Sequence, residues 1–171
     1  WLVRVAMVFT QIFQGTPLLL QLFLIFFGAP VIGMDINPWI AAGIALILNS
    51  GAFLGEIWRG CIQAIPRGQW EAAEALSLSY TSRMRDVVLP QAMKIAVAPT
   101  VGYMVQIIKG TSLAAIIGFT EITRAGQIIN NATFQPLLVF SVVASLYFVI
   151  CWPLSLLASR LERRQARALA R

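Results

Sequence analysis

Long intervals without charge constrain this chain more than any other feature. No charged residue lies between Arg4 and Asp35, between Asp35 and Glu56, between Lys94 and Lys109, or between Arg124 and Arg160. A helix crosses a bilayer core of roughly 30 Å with about 20 mostly apolar residues. The intervals near 5–33, 37–55 and 136–158 are long enough for that. The interval near 92–109 is shorter, and it serves if the aliphatic stems of Lys94 and Lys109 snorkel to the two interfaces. We therefore expect an all-α integral membrane helical bundle, one domain over 1–171, with four spans. A soluble all-α protein would need polar outer faces on its helices. Stretches such as LLLQLFLIFF (18–27) and LLVFSVVASLYFVICWPLSLLA (137–158) offer no polar face.

Composition excludes several other classes. Apolar residues make up 58% of the chain and charged residues 12%, against about 25% charged in an ordinary soluble domain. The absence of histidine removes His-containing zinc sites, Ser-His-Asp triads and Cys-His nucleophile pairs together. Cys61 and Cys151 lie far apart and match no metal or redox spacing. No phosphate loop of the Gly-x-x-x-x-Gly-Lys-[Ser/Thr] type occurs, so the chain has no means of hydrolysing ATP by itself. A Ser-Lys dyad between Lys109 and Thr111 or Ser112 is conceivable, but an interface anchor is the better reading of Lys109. The first residue is Trp1, so we expect the N-terminal part of the protein to be missing, and no signal peptide is legible.

The basic residues orient the spans. Arg59, Arg67, Arg83, Arg85 and Lys94 cluster in 56–94, and Arg160, Arg163, Arg164, Arg167 and Arg171 in the tail. The turn at 28–37 has only Asp35, and 109–136 only Lys109 and Arg124 as cations. Excess Lys and Arg marks the cytoplasmic side, so 56–94 and the tail are expected to face the cytoplasm. With a pI near 10.2 the chain suggests nucleic acid at first sight. No aromatic-basic platform accompanies the charge, so the anionic inner leaflet is the better partner.

The segment 56–94 is too long for a mere turn. IPRGQWEAAEALSLSYTSRMRDVVLPQA (65–92) reads as two short helices, with Pro66 and Gly68 breaking the chain beforehand. Glu71 and Glu74 are expected in the first turn of the first helix, where the dipole favours acid. Ala72, Ala73 and Ala75 lack bulk, so another protein surface can approach closely. Ser79, Thr81 or Ser82 is expected to cap the following turn, and Leu89-Pro90 to mark entry to the third span. An amphipathic helix on lipid headgroups is the competing reading. Its apolar face, Trp70 with Leu76 and Leu78, is thin, which favours docking on a cytosolic partner.

Glu71-Ala72-Ala73, position 77 and Val87-x-Leu89-Pro90 resemble the EAA motif of ABC-importer permeases: Glu-Ala-Ala, three residues, Gly, nine residues, Ile, one residue, Leu-Pro. Every spacing matches, with Ser77 where Gly is usual and Val87 where Ile is usual. Ser77 then either adopts an ordinary negative φ or tolerates a mild penalty. GTPLLLQLFLIFFG (15–28), with Gln14 where Arg is common, LNSGAFLGEIWRGCIQAIPRGQWEAA (48–73), VVLPQA (87–92) and IIKGTSLAAIIGFTEI (107–122), with Gly110 where an acid is common, resemble the polar amino acid branch of those permeases.

The resemblance implies a multi-pass bacterial inner-membrane protein, with five spans when complete and the first lost with the missing N-terminus. It implies a cytosolic ABC ATPase dimer that carries ATP and magnesium, a second permease subunit, and an extracytoplasmic solute-binding protein. No cofactor is expected in this chain, and no nucleic acid. Gly68, Glu71, Ala72, Ala73, Glu74, Ser77, Leu89 and Pro90 would form the ATPase-coupling segment. The solute path needs polar groups facing inward, and Asn49, Glu56 and Gln106 are the candidates, with Ser50 and Gln21 beside them. Glu56 pairs more naturally with Arg59, three residues on. Asn49 and Gln106 either line the cavity or bridge helices. Glu121 and Arg124 either contact the binding protein or are simply solvated. A permease for another small solute, or a membrane scaffold or channel subunit without a transport cycle, remains the alternative.

Overall fold

A computed structural model describes residues 1–169, and among these every regular element is helical. The helices are α1 (Leu2–Gly15), α2 (Leu18–Val31), α3 (Pro38–Gln63), α4 (Arg67–Ala75), α5 (Tyr80–Ser82), α6 (Leu89–Thr111), α7 (Ile122–Thr133) and α8 (Pro136–Leu169). A π-helical stretch, Arg83–Val88, joins α5 to α6, and a 3-10 stretch, Ser112–Ile117, extends α6. Among the described residues three helical rods are long and apolar enough to cross a membrane: Pro38–Gln63, Tyr80–Ile117 and Pro136–Gln165. Counted as one broken span, α1 and α2 would make a fourth, and these two helices meet at 101°. Arg171, counted with the basic tail, lies outside the described residues.

The expected single span over 5–33 is therefore two half-helices. Each has 14 residues, about 21 Å of helix, too short to cross alone. Thr16-Pro17 makes the break. Pro17 has no N–H, and its ring pushes Thr16 to an extended backbone, φ −114° and ψ 138°. Both α1 and α2 pack on α3, in the reverse of its chain order. Gln14 donates to the Ala52 carbonyl at 3.3 Å, and Leu22 of α2 packs with Ala41, Ala42 and Ala45 nearer the start of α3.

The third crossing also departs from expectation. It does not stop at Lys109 but continues as helix to Ile117, where Gly118, in the left-handed region at φ 88°, ends it. Lys109 thus sits inside the rod, not at its edge. The expected second short helix after α4 is not separate either: α5 runs through the π-helical stretch into α6. Pro90 is the reason. It offers no N–H to the carbonyl four residues back, and its ring crowds that carbonyl. The wider π turn absorbs the conflict, with the Leu89 N–H bonded to the Met84 carbonyl five residues back.

Small residues carry the packing. Ala41, Ala45 and Ala52 recur along α3, and Ala92 and Ala96 along α6, all buried. Lipid tails are as apolar as leucine, so helices in a bilayer gain most from close backbone approach between small side chains. The larger apolar residues point outward instead: Leu137, Phe148, Val149 and Trp152 of α8 are all exposed, as lipid or a second chain requires.

Candidate functional site

The break between α1 and α2 creates a polar problem at mid-bundle. A helix that stops leaves its last carbonyls without partners, and inside a membrane each such group is costly. Side chains from three helices resolve it. Gln21, buried, donates from Nε2 to the Phe13 carbonyl at 2.9 Å, the Thr16 carbonyl at 3.0 Å and Thr16 Oγ1 at 2.9 Å. Asn49, buried on α3, donates from Nδ2 to the Phe13 carbonyl and to Gln21 Oε1, at 3.3 and 3.2 Å. Tyr103 of α6 donates its hydroxyl to Asn49 Oδ1 at 3.3 Å, and its ring stacks on Phe53.

Two cavities of about 410 and 400 Å³ adjoin this knot, and both are lined by Leu18, Asn49 and Phe53. Ser50, Tyr103 and Gln106 complete the first, and Gln14, Gly15, Thr16 and Pro17 the second. The N-terminus of α2 opens on them without a side-chain cap, so its positive dipole end faces the space. Asn49 and Gln106 therefore share a cavity, and Asn49 also bridges helices. Glu56 does not join them. It lines a separate groove of about 810 Å³ between α1 and α3 and pairs with Arg59, whose Nε donates to Glu56 Oε2 at 2.8 Å and whose Nη1 donates to Gln63 at 2.7 Å. Tyr103 and Thr16 were not singled out from the sequence. The Thr16-Pro17 pair inside an apolar run was the available signal for the break.

The segment 65–90 forms a second surface. α4 starts at Arg67 behind Pro66, so Glu71 and Glu74 lie beyond its first turn, which holds no acid. The earlier start follows from Pro66, preset at φ −54° just before the helix. Gly68, Glu71, Ala72, Glu74 and Ala75 are exposed, whereas Ala73 is buried at 3%. Ala73 shares the inward face with Trp70, which packs on the small core of Ile65, Val88 and Ala92. Of the three alanines expected to admit a partner, only Ala72 and Ala75 are available. Leu89 and Pro90 are half-buried at the foot of α6. Gln69 accepts from Gln91 at 3.1 Å, and Glu74 pairs with Arg83 at 3.4 Å, which tie α4 to that foot.

Ser77 ends α4 in the left-handed region, at φ 57°. Its N–H donates to the Glu74 carbonyl and that of Leu78 to the Ala73 carbonyl, at 2.8 and 3.2 Å. These are the two bonds of a Schellman cap, which calls for glycine at this position. Of the two outcomes expected for Ser77, the strained one holds. Ser79 caps the next turn as expected, accepting from the Ser82 N–H at 3.3 Å. Glu121 caps α7, accepting from Thr123 and Arg124 N–H groups and from the Tyr147 hydroxyl at 2.6 Å, so its carboxylate is engaged within the chain.

Residues 1–167 match the family described as "Binding-protein-dependent transport system inner membrane component". The chain belongs to this family. It is thus a multi-pass inner-membrane permease component, of a family whose members are not themselves catalytic. The permease is similar to the glutamine transport system permease protein GlnP of Escherichia coli (strain K12), with 40% identity over 163 residues, 94% of this chain and 74% of that protein. It is 37% identical to the L-cystine transport system permease protein TcyB of Bacillus subtilis (strain 168), over 96% of this chain and 70% of that one. Among solved structures it resembles an amino acid ABC transporter crystallised with histidines, at a TM-score of 0.88 and 37% identity, over 94% of this chain and 75% of that one. The inward-facing MetNI methionine ABC transporter shares the fold, at a TM-score of 0.76 and 20% identity, over 95% of this chain and 75% of that one.

Two variants test this geometry. Gln21→Leu strands the Thr16 carbonyl and leaves the Phe13 carbonyl to Asn49 alone, and is expected to cost about 1–3 kcal/mol, read as a lower unfolding temperature in detergent. An unchanged temperature would show that the amide does not hold the break. Ser77→Gly relieves the left-handed strain and is expected to stabilise the α4 cap by about 1 kcal/mol, read as slower amide exchange at Leu78.

Proposed function

We propose that this permease forms the membrane path of an ABC importer for polar amino acids, working beside a second permease subunit. A cytosolic ATPase dimer would drive it through α4, and an extracytoplasmic binding protein would deliver the solute. The interrupted span is the observation that carries this reading. Non-helical backbone at membrane depth is tolerated where it is buried in protein or lines a cavity, and half-helix ends near the midplane are where transporters hold polar solutes. Here the α2 N-terminus suits a carboxylate, while Asn49 Oδ1, Ser50 and Gln106 offer both donors and acceptors. The similarity to glutamine and cystine permeases supports a polar amino acid as cargo. Glu56 is held by Arg59 and does not belong to the solute path in this reading.

The charge distribution supports a cytoplasmic place for 56–94 and the tail. On that side α4 would ride on the ATPase through Gly68, Glu71, Ala72 and Glu74, with Ala73 and Ser77 shaping the helix from within. Motion of the partner would reach α3 through Ile65 and α6 through Val88 and Ala92, the residues on which α4 is seated. A few kcal/mol of differential contact between two states is enough to switch access.

Ala72→Trp and Glu71→Arg on the exposed face of α4 test the coupling. In proteoliposomes holding the whole transporter, ATPase stimulation by loaded binding protein is expected to fall about tenfold or more, with the detergent unfolding temperature unchanged. Wild-type stimulation and uptake in both variants would refute the assignment.

A further inference from the structure

The apolar seat of α4 on the foot of α6 is small. Ile65, Val88 and Ala92 are its buried members, with Trp70 and Met84 packed against them. Burial of this kind resists separation but sets no register, because the hydrophobic effect is non-directional. Hydrogen bonds between particular atoms do set one. Among the described residues two side-chain contacts join α4 to the chain that returns towards α6: the Glu74–Arg83 pair at 3.4 Å and the Gln69–Gln91 pair at 3.1 Å. The Glu74 side chain is 71% exposed, so water screens its ion pair and leaves it little strength.

Gln91 differs from Arg83 in what else it holds. Its Nε2 donates to Gln69 Oε1 and also to the Val87 carbonyl, the latter at 2.9 Å. Val87 belongs to the π-helical stretch Arg83–Val88. That stretch runs into Pro90, which brings no N–H, so its carbonyls are one backbone donor short. The Gln91 side chain supplies a donor there. One amide thus ties the π turn and the start of α6 to the first half of α4. Both partners flank the apolar seat, since Gln69 precedes Trp70 and Gln91 precedes Ala92. Gln91 is half-buried and Gln69 is exposed. The clasp is therefore anchored on the α6 side and reaches out to α4.

We infer that Gln91 is a positioning residue for coupling: it holds α4 in register on the foot of α6, so that displacement of α4 moves α6 instead of slipping over the apolar seat. Gln69 is its receiving group on α4. This rests on the importer reading above, in which α4 rides on the ATPase. It gives a role to two glutamines that lie outside the Glu-Ala-Ala and Leu-Pro positions.

The test uses the whole transporter in proteoliposomes, with ATPase and loaded binding protein, and sets uptake of a radiolabelled amino-acid mixture against ATP hydrolysed. Gln69→Leu cuts the tie and leaves the Val87 bond in place. It is expected to raise the ATP hydrolysed per solute carried about threefold or more, on the scale of one lost hydrogen bond, with the detergent unfolding temperature unchanged. Gln91→Leu is expected to raise the ratio as well, and the two substitutions together to do no more than Gln91→Leu alone, because they act through one contact. Gln91→Lys combined with Gln69→Glu keeps a donor for the Val87 carbonyl and remakes the tie as a charged pair. That variant is expected to recover most of the wild-type coupling, which a merely structural loss at either position would not allow. A wild-type ratio in Gln69→Leu, additive losses in the double leucine variant, or no recovery with the charged pair overturns the proposal. If the wild-type transporter shows neither uptake nor stimulated ATP hydrolysis, the importer reading fails instead, and the two failures are distinct.

Discussion

Backbone carbonyls freed at membrane depth must find donors inside the protein, and this requirement organises the molecule. The break at Thr16-Pro17 frees the Phe13 and Thr16 carbonyls where water is not on hand to solvate them. One amide, Gln21, answers most of that demand, and Asn49 answers the rest while holding Gln21 in place. The same contacts pin α1 and α2 to α3, and Tyr103 extends them to α6. A transporter needs polar groups at its centre to handle a polar solute, and it needs them satisfied when the solute is absent. In the proposed importer the knot would do both, because its amides bond to the protein while their neighbours border a cavity.

The helical hairpin that carries α4 depends on a different kind of irregularity. Its start is set by Pro66, its end by a serine held in the left-handed region, and its return by a π turn before Pro90. Each is a local departure from ideal helix, and together they turn the chain back so that α4 lies against the foot of α6. Trp70, Ile65, Val88 and Ala92 then pack as one body. Close-packed side chains transmit displacement rather than absorb it, which suits a lever better than a flexible loop would.

Much of this was legible in the residues themselves. Charge-free intervals marked the long apolar helices, and the three-residue spacing of Glu56 and Arg59 announced their pairing. The rest was illegible for physical reasons. An uncharged run reports length and hydrophobicity but not direction, so the 101° bend between α1 and α2 left no mark beyond a Thr-Pro pair. A lysine at the end of a charge-free interval looks like the end of a helix, and only the continuation of helix through Ser112–Ile117 shows that Lys109 is inside the rod. Ala73 reads as one of three equivalent alanines until packing separates its buried face from the exposed one.

Class and membrane setting were determined by the sequence alone, because the scarcity and spacing of charges depend only on composition along the chain. Which polar residues meet was decided by tertiary structure. Gln21, Asn49 and Tyr103 come from three helices, and Lys109 meets Tyr147 and Trp152 across a fourth. Contacts between helices depend on tilt, rotation and the depth at which each rod sits. Those are set by how small side chains let backbones approach, and no single stretch of residues encodes them.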